Sequence, residues 1–381
     1  MDTALEKTIS LILLIGIGVW LQQKFQNEDQ KKGLKNLILT IALPAMIFVA
    51  LMKIEINPDL LILPIMALGF NLVMMYITKF SMPMFGVQKD SSEMRTLALL
   101  IPSLAPGLTC FPFIAEYLGD DLLAWGALAD LGNKIFVLIL AYMLAMSWYY
   151  KTQQLKARSN TEKIKELIVA MISEPINMVI AVAIILLCFG INMDSLPGFL
   201  STSIVMLKDV MTPLVLLFIG ISVVFKWKQL STIFSLLVFR AGFTFLISGL
   251  FLWLVPGLTP AVALLAIAFP QSAVSFWPFA HMAAIRKMEV DANAHKATFD
   301  LELGINVLAV SMPMSTLLIL GVFTTGNLWV VPTNVLILGA SLVGVSLAPR
   351  AIKLLADYRK SLASKEEEPS FSELDFRKME K

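Results

Sequence analysis

The sequence predicts an all-α polytopic membrane protein: two inverted-topology repeats of five transmembrane helices, each with a broken crossing helix, and then an eleventh helix. Three observations lead there. Charged residues are 15% of the 381 and hydrophobic ones 57%, with a mean hydropathy of +0.78, whereas soluble domains carry about 25% charge. Apolar runs long enough to cross a hydrocarbon core of about 30 Å recur from end to end. Proline-bearing interruptions recur in both halves of the chain at nearly constant offset. The runs are continuous, without the alternation that a transmembrane barrel requires.

Taken in order, eleven spans are expected at 8–23, 35–52, 59–79, 95–116, 122–149, 167–190, 203–225, 230–254, 259–285, 299–321 and 329–348. The first has the length of a signal peptide. It lacks a basic leader, since Asp2, Glu6 and Lys7 precede it, and no small-x-small cleavage site follows, so it reads as a short span. Nearly all of the 30 Lys and Arg fall in alternate loops. Lys24, Lys31, Lys32 and Lys35 open one face, which also takes the 151–166 segment, Lys226 with Lys228, and the tail beyond Pro349. The other face has Lys7 and Lys53 among Asp2, Glu6, Glu55, Asp120, Asp121 and Asp194. By the positive-inside rule the N-terminus lies outside, the C-terminus is cytoplasmic and the number of crossings is odd. The expected organisation is 1–150 as the first repeat, 151–166 as a cytoplasmic linker and 167–321 as the inverted second repeat. An extra helix at 322–348 and a cytoplasmic, partly disordered tail at 349–381 complete it. The expected location is the plasma (inner) membrane.

Three pairs of segments carry the repeat. "LPAMIFVALMKIEI" matches "MTPLVLLFIGISV" with Pro44 on Pro213, and "APGLTCFPFI" matches "QSAVSFWPFA" with Pro112 on Pro278. "ADLGNKIFVL" matches "LELGINVLAV" with Asp130 on Glu302 and Gly132 on Gly304. Five spans separate the mates, so each crosses the membrane opposite to its counterpart, an arrangement that secondary transporters use. Proline removes a backbone donor and frees carbonyls, which is costly in hydrocarbon unless protein or water lines the break. Pro106, Gly107, Thr109 and Pro112 in one break, and Gln271, Ser272, Ser275 and Pro278 in the other, are therefore candidate substrate-binding residues.

Ionisable groups inside spans add candidates, since they face bundle interiors or aqueous cavities. Asp130 and Lys134 share a helix face at i,i+4 with Asn133 between them. Glu302 and Asn306 repeat that spacing without the lysine. Arg240 sits mid-span, with Asn71 at the equivalent place in the first half and Glu174 or Asp209 as candidate partners. Asn133, Lys134 and Arg240 are read as substrate contacts, and Asp130, Glu302 and Asn306 as ion-coupling residues.

The stretches "SLAPGLTCFPFIAEYLGDDLLAWGALADLGNKIFVL" and "LTPAVALLAIAFPQSAVSFWPFAHMAAI" resemble the auxin efflux carrier family of plant auxin exporters and bacterial malate- and malonate-type permeases. In that resemblance the family's Gly-x-Pro-Leu element falls on Cys110-Phe111-Pro112-Phe113. Its acidic turn falls on Asp120 and Asp121, and its Asp and Asn on Asp130 and Asn133. Cys110 and Phe113 depart from the pattern, the asparagine before the first proline element is missing, and the family's ten spans are one fewer than expected here.

The resemblance implies a secondary transporter for a small organic anion such as a carboxylate, working by alternating access with an elevator-like motion. A sodium- or proton-coupled carrier of the bile-acid-symporter type and a non-transporting membrane sensor are the alternatives. An enzyme is not expected: His281 and His295 form no His-Glu-x-x-His motif, and no phosphate-binding loop is present. No cofactor or metal is expected, with Na+ or H+ as candidate coupling ion. Membrane lipid is an expected partner, a homodimer the expected assembly, and nucleic acid is not a partner.

Overall fold

The computed structural model describes residues 3–54, 58–154, 161–222, 230–294 and 296–366, and the described residues form helices joined by turns and short irregular stretches, without a strand. Glu55, Lys156, Arg158, Lys226, Lys228, His295 and the tail from 367 lie outside them. In chain order the helices are α1 (Thr3–Leu21), α2 (Glu28–Leu37), α3 (Leu43–Leu51), α4 (Ile62–Ser81), α5 (Ser92–Leu100) and α6 (Pro106–Thr109). Next come α7 (Phe111–Tyr117), α8 (Asp120–Lys134), α9 (Ala141–Thr152), α10 (Thr161–Ile172), α11 (Pro175–Cys188) and α12 (Gly198–Asp209). The last six are α13 (Met211–Ser222), α14 (Leu230–Leu254), α15 (Pro260–Ala268), α16 (Phe276–Asp291), α17 (Leu301–Thr324) and α18 (Pro332–Glu366).

Among the described residues, seven continuous helical stretches are long and apolar enough to cross a membrane, or eight if the bent pair α10–α11 is one span. A shorter apolar helix, Pro332–Ala348, is the first part of α18. The chain is thus a polytopic membrane protein. Two spans carry a π-helical stretch in mid-course, Ile38–Ala42 between α2 and α3, and Ile135–Leu140 between α8 and α9. Such stretches are frequent at functional sites.

Local chemistry accounts for the boundaries. Asn27 accepts the Asp29 N–H and starts α2 well before the hydrophobic run, so Lys31, Lys32 and Lys35, expected in a loop, ride on a helix. Pro175 drives Glu174 to extended geometry (ψ 132°) and bends α10 against α11 by 61°. Gly119, at φ +86°, makes the tight turn between α7 and α8, a conformation open to glycine at little cost. α18 runs on to Glu366, into the tail expected from 349 to be partly disordered, through a stretch rich in Ala, Leu, Lys and Arg that favours helix.

The helices sort into two groups. In one, α1 packs along α13, and α3 packs on α11 and α12. In the other, α4 packs on α8, α14 packs along α18, and α5, α9, α15, α16 and α17 surround the breaks. The groups meet where α3 touches α8, α7 touches α13 and α1 touches α17. Within lipid, small residues permit such close approach. A Cβ on Gly220 would lie 2.7 Å from the Gly18 Cα across the α1–α13 seam. Gly220→Leu is therefore expected to destabilise the protein by about 1–3 kcal/mol, read as a lower melting temperature in detergent. Gly16→Leu is the control, because a Cβ there meets nothing within 4 Å.

Candidate functional site

Two interrupted spans meet at the centre. The first leaves helix after α5, where Pro102 and Pro106 interrupt it, and resumes as the short α6 and then α7. The second leaves helix at Gln271 and resumes at α16, with Ser272 and Ser275 extended (ψ 151° and 143°). Their backbones are joined directly: the Ala105 N–H donates to the Ala273 carbonyl at 2.7 Å. The hydroxyls named from the sequence complete the joint. Thr109 Oγ1 donates to the Ala105 carbonyl (2.9 Å) and accepts the Ala273 N–H (3.0 Å). Ser275 caps α16 by accepting the Trp277 N–H at 3.3 Å, while its own N–H donates to Ser103 Oγ at 3.0 Å. Ser272 Oγ donates to the Phe269 carbonyl at 2.5 Å. Pro106 and Pro112, in the first turns of α6 and α7, and Pro278, in that of α16, are buried.

Arg240, buried on α14, reaches both breaks. Its Nε donates to the Ile101 carbonyl (2.8 Å), and one terminal nitrogen donates to the Ser103 (3.3 Å) and Ser272 (2.9 Å) carbonyls. The protein partners weighed for it from the sequence were the carboxylates of Glu174 and Asp209; the observed ones are backbone carbonyls at the two breaks. Asn71, at the corresponding place on α4, donates to the Pro102 carbonyl at 2.7 Å and to Asn133 Oδ1 at 3.1 Å. Asn133 in turn accepts the Leu104 N–H (3.1 Å) and donates to the Leu104 carbonyl (2.9 Å) and to Asp130 (2.8 Å). Gln271 donates to the Ala241 carbonyl at 3.1 Å. Two buried oxygens here, Asn71 Oδ1 and Gln271 Oε1, have no hydrogen-bond partner among the described residues.

Beside the breaks, Lys134 is shared between carboxylates. Its ammonium lies 2.9 Å from Glu174, 3.6 Å from Asp130 and 2.9 Å from Asn177 Oδ1, with only 6% of its side chain exposed. The bend before Pro175 presents Glu174 to α8, so this ion pair links the two helix groups. Glu302 is exposed in the first turn of α17, and Asn306 is half-buried one turn on. The structure thus gathers the two breaks, Asp130, Asn133, Lys134 and Arg240 into one network, while Glu302 sits in a different, exposed environment.

Three more features bear on what this centre can bind. Leu43 on α3 faces Gly107, where an added Cβ would come within 2.9 Å of its methyl. Lys35, two turns earlier in the same span, holds its ammonium 5.2 Å from the centroid of the Phe276 ring in the first turn of α16. A cavity of about 440 Å³ lies beside the second break, lined by Phe70, Trp125, Phe251, Phe269 and Pro270. Its Ser248 hydroxyl already donates to the Ala266 carbonyl at 2.9 Å, so its character is apolar.

At the end of the molecule where α3 finishes and α8 begins, polar contacts close the seam between the groups. Asp120 takes Lys53 at 2.6 Å and Lys208 at 2.8 Å, Lys7 pairs with Glu116 at 3.4 Å, and Thr8 bonds Tyr117 (2.6 Å) and Thr324 (2.9 Å).

Ser103, Asn71, Glu174 and Lys35 were not among the residues singled out from the sequence as contacts. Asn71 had a signal, its place opposite Arg240 in the repeat. Lys35 had none, because its place in a basic cluster reads as a loop charge. No family model matches the sequence, and no curated protein matches it.

Proposed function

We propose that the protein is a secondary transporter that carries a small organic anion across a membrane by alternating access, as a distant relative of the auxin efflux carriers. In this reading α1 to α9 form the first five-span repeat, α10 to α17 the inverted second repeat, and α18 the eleventh span. The N-terminus lies outside and the C-terminus in the cytoplasm. The observation that carries the reading is the backbone hydrogen bond from Ala105 to Ala273, which joins two helix breaks from opposite halves of the chain. Broken helices from two halves meeting at one point are the arrangement in which transporters place substrate.

The second helix group, holding both breaks, is the moving body, and the group of α1, α3, α11, α12 and α13 is the scaffold. The contacts of Asp120, Lys7 and Thr8 span the seam between them, so the molecule is closed at the outer end. That assignment favours an elevator-like displacement over a rocking one.

A coupled carrier is the second reading, and one observation favours it. Asp130, Glu174 and Lys134 bring two carboxylates to one ammonium, which leaves an acid in excess to take up a proton or Na+. Purified protein in liposomes, loaded with unlabelled malonate or benzoate and assayed for counterflow of the labelled acid, tests the proposal. Imposed proton and sodium gradients separate the two readings. Folded, monodisperse protein that moves no organic anion would overturn it.

A further inference from the structure

The transport reading leaves open which side chain meets the anion. Three cations within the spans stand close to the breaks: Lys134, Arg240 and Lys35. Lys134 is neutralised, since Asp130 and Glu174 both approach its ammonium. Arg240 is anchored through Nε and one terminal nitrogen by the Ile101, Ser103 and Ser272 carbonyls, and withdrawing it would strand those acceptors. Neither can leave its place for a passenger without stranding a buried partner. Lys35 differs. Among the described residues no carboxylate lies within ion-pair distance of its ammonium, and its recorded contact there is with the face of Phe276.

The surroundings of Lys35 make that isolation costly. Its side chain is half-buried, within a span. A charge so placed calls for an opposite charge or water, and a ring face is a weaker partner than a carboxylate. The ring belongs to the first turn of α16, whose aligned peptide dipoles are positive at that end. Two positive features therefore adjoin with no described anion between them. Phe276 and Trp277 are 53% and 40% exposed, so aromatic surface stands open beside the ammonium. Lys35 belongs to the scaffold span and Phe276 to the moving body, so an anion held between them would touch both groups.

We infer that the Lys35 ammonium, held over Phe276, is the counter-charge for the transported anion, and that the site accepts one negative charge carried on an apolar body. The inference rests on the transport reading and deepens it by naming the residue and the charge. Among the described residues, no second cation is placed over the Phe276 ring to meet another carboxylate on the same solute.

The test uses the full-length protein in detergent and in liposomes, with benzoate as the single-charge probe and malonate as the double-charge one. Lys35→Gln should weaken benzoate binding, read by calorimetry, by about tenfold or more, and raise the KM for flux more than it lowers kcat. Lys35→Arg should stay within a few-fold of the parent, and Lys24→Gln should change nothing. Benzoate should also slow acetylation of Lys35 several-fold, read by mass spectrometry, while acetylation of Lys24 is unaffected. All variants should melt at the parent's temperature without ligand. If the parent binds and moves organic anions while Lys35→Gln does so equally well, or if malonate binds tighter than benzoate, the inference fails and the transport reading stands. If the folded parent neither binds nor moves either acid, both fall together.

Discussion

Replacing Arg240 by methionine is expected to be among the most damaging single changes this protein can suffer. The substitution keeps a long apolar stem but removes the donors to Ile101, Ser103 and Ser272. Each buried carbonyl left unpaired costs about 1–3 kcal/mol, and a thioether has no proton to donate in the guanidinium's place. The expected loss is on the order of 3 kcal/mol or more, seen as a sharp fall in melting temperature and in the yield of monodisperse protein. Arg240→Lys should recover part of this, because an ammonium can reach one or two of the carbonyls but lacks the planar fork. A variant without arginine that melts with the parent would show that the carbonyls have other partners, and would remove Arg240 from the account of the joint.

The second large effect is expected at Lys134. Lys134→Met leaves Asp130 and Glu174 facing each other without a counter-ion, and a broken buried pair typically costs about 3–5 kcal/mol. Because the penalty comes from the stranded carboxylates, the cure is to neutralise them. The triple variant Lys134→Met, Asp130→Asn, Glu174→Gln should regain most of the lost stability, and the intermediate variants should show coupling well beyond additivity. The same set bears on coupling. If the acid in excess carries the proton or Na+, the triple variant should retain folded structure and passive counterflow while losing the response to an imposed gradient. Penalties at the three positions that simply add would mean that the residues do not act on one another.

Much of the architecture was legible before any coordinates. Hydropathy, loop charge and the paired proline motifs expose the membrane class and both interrupted spans, since each depends on composition within a short window. Boundaries were less accessible. The start of α2 is set by Asn27, whose capping bond outweighs the polar run that follows, so Lys35 read as a loop residue when it lies on a spanning helix. The site divides along similar lines. The contact of Asp130 with Lys134 follows from i,i+4 geometry and is present at 3.6 Å. Arg240 is conspicuous as a lone mid-span charge, but its partners are backbone carbonyls, and backbone carries no mark in the sequence. Glu174 owes its role to a bend whose direction depends on how α11 packs against α3. Glu302, which looks equivalent to Asp130 in the alignment of the halves, is exposed because it falls in the first turn of α17, where Asp300 caps the helix.

The link from Ala105 to Ala273 has a consequence for any motion of the molecule. With Thr109, Ser103 and Ser275 stitched across the same gap, the two severed helices are riveted to each other. Shearing one past the other would break those bonds and leave buried amides unpaired, so whatever journey either half makes, the other must make it in step.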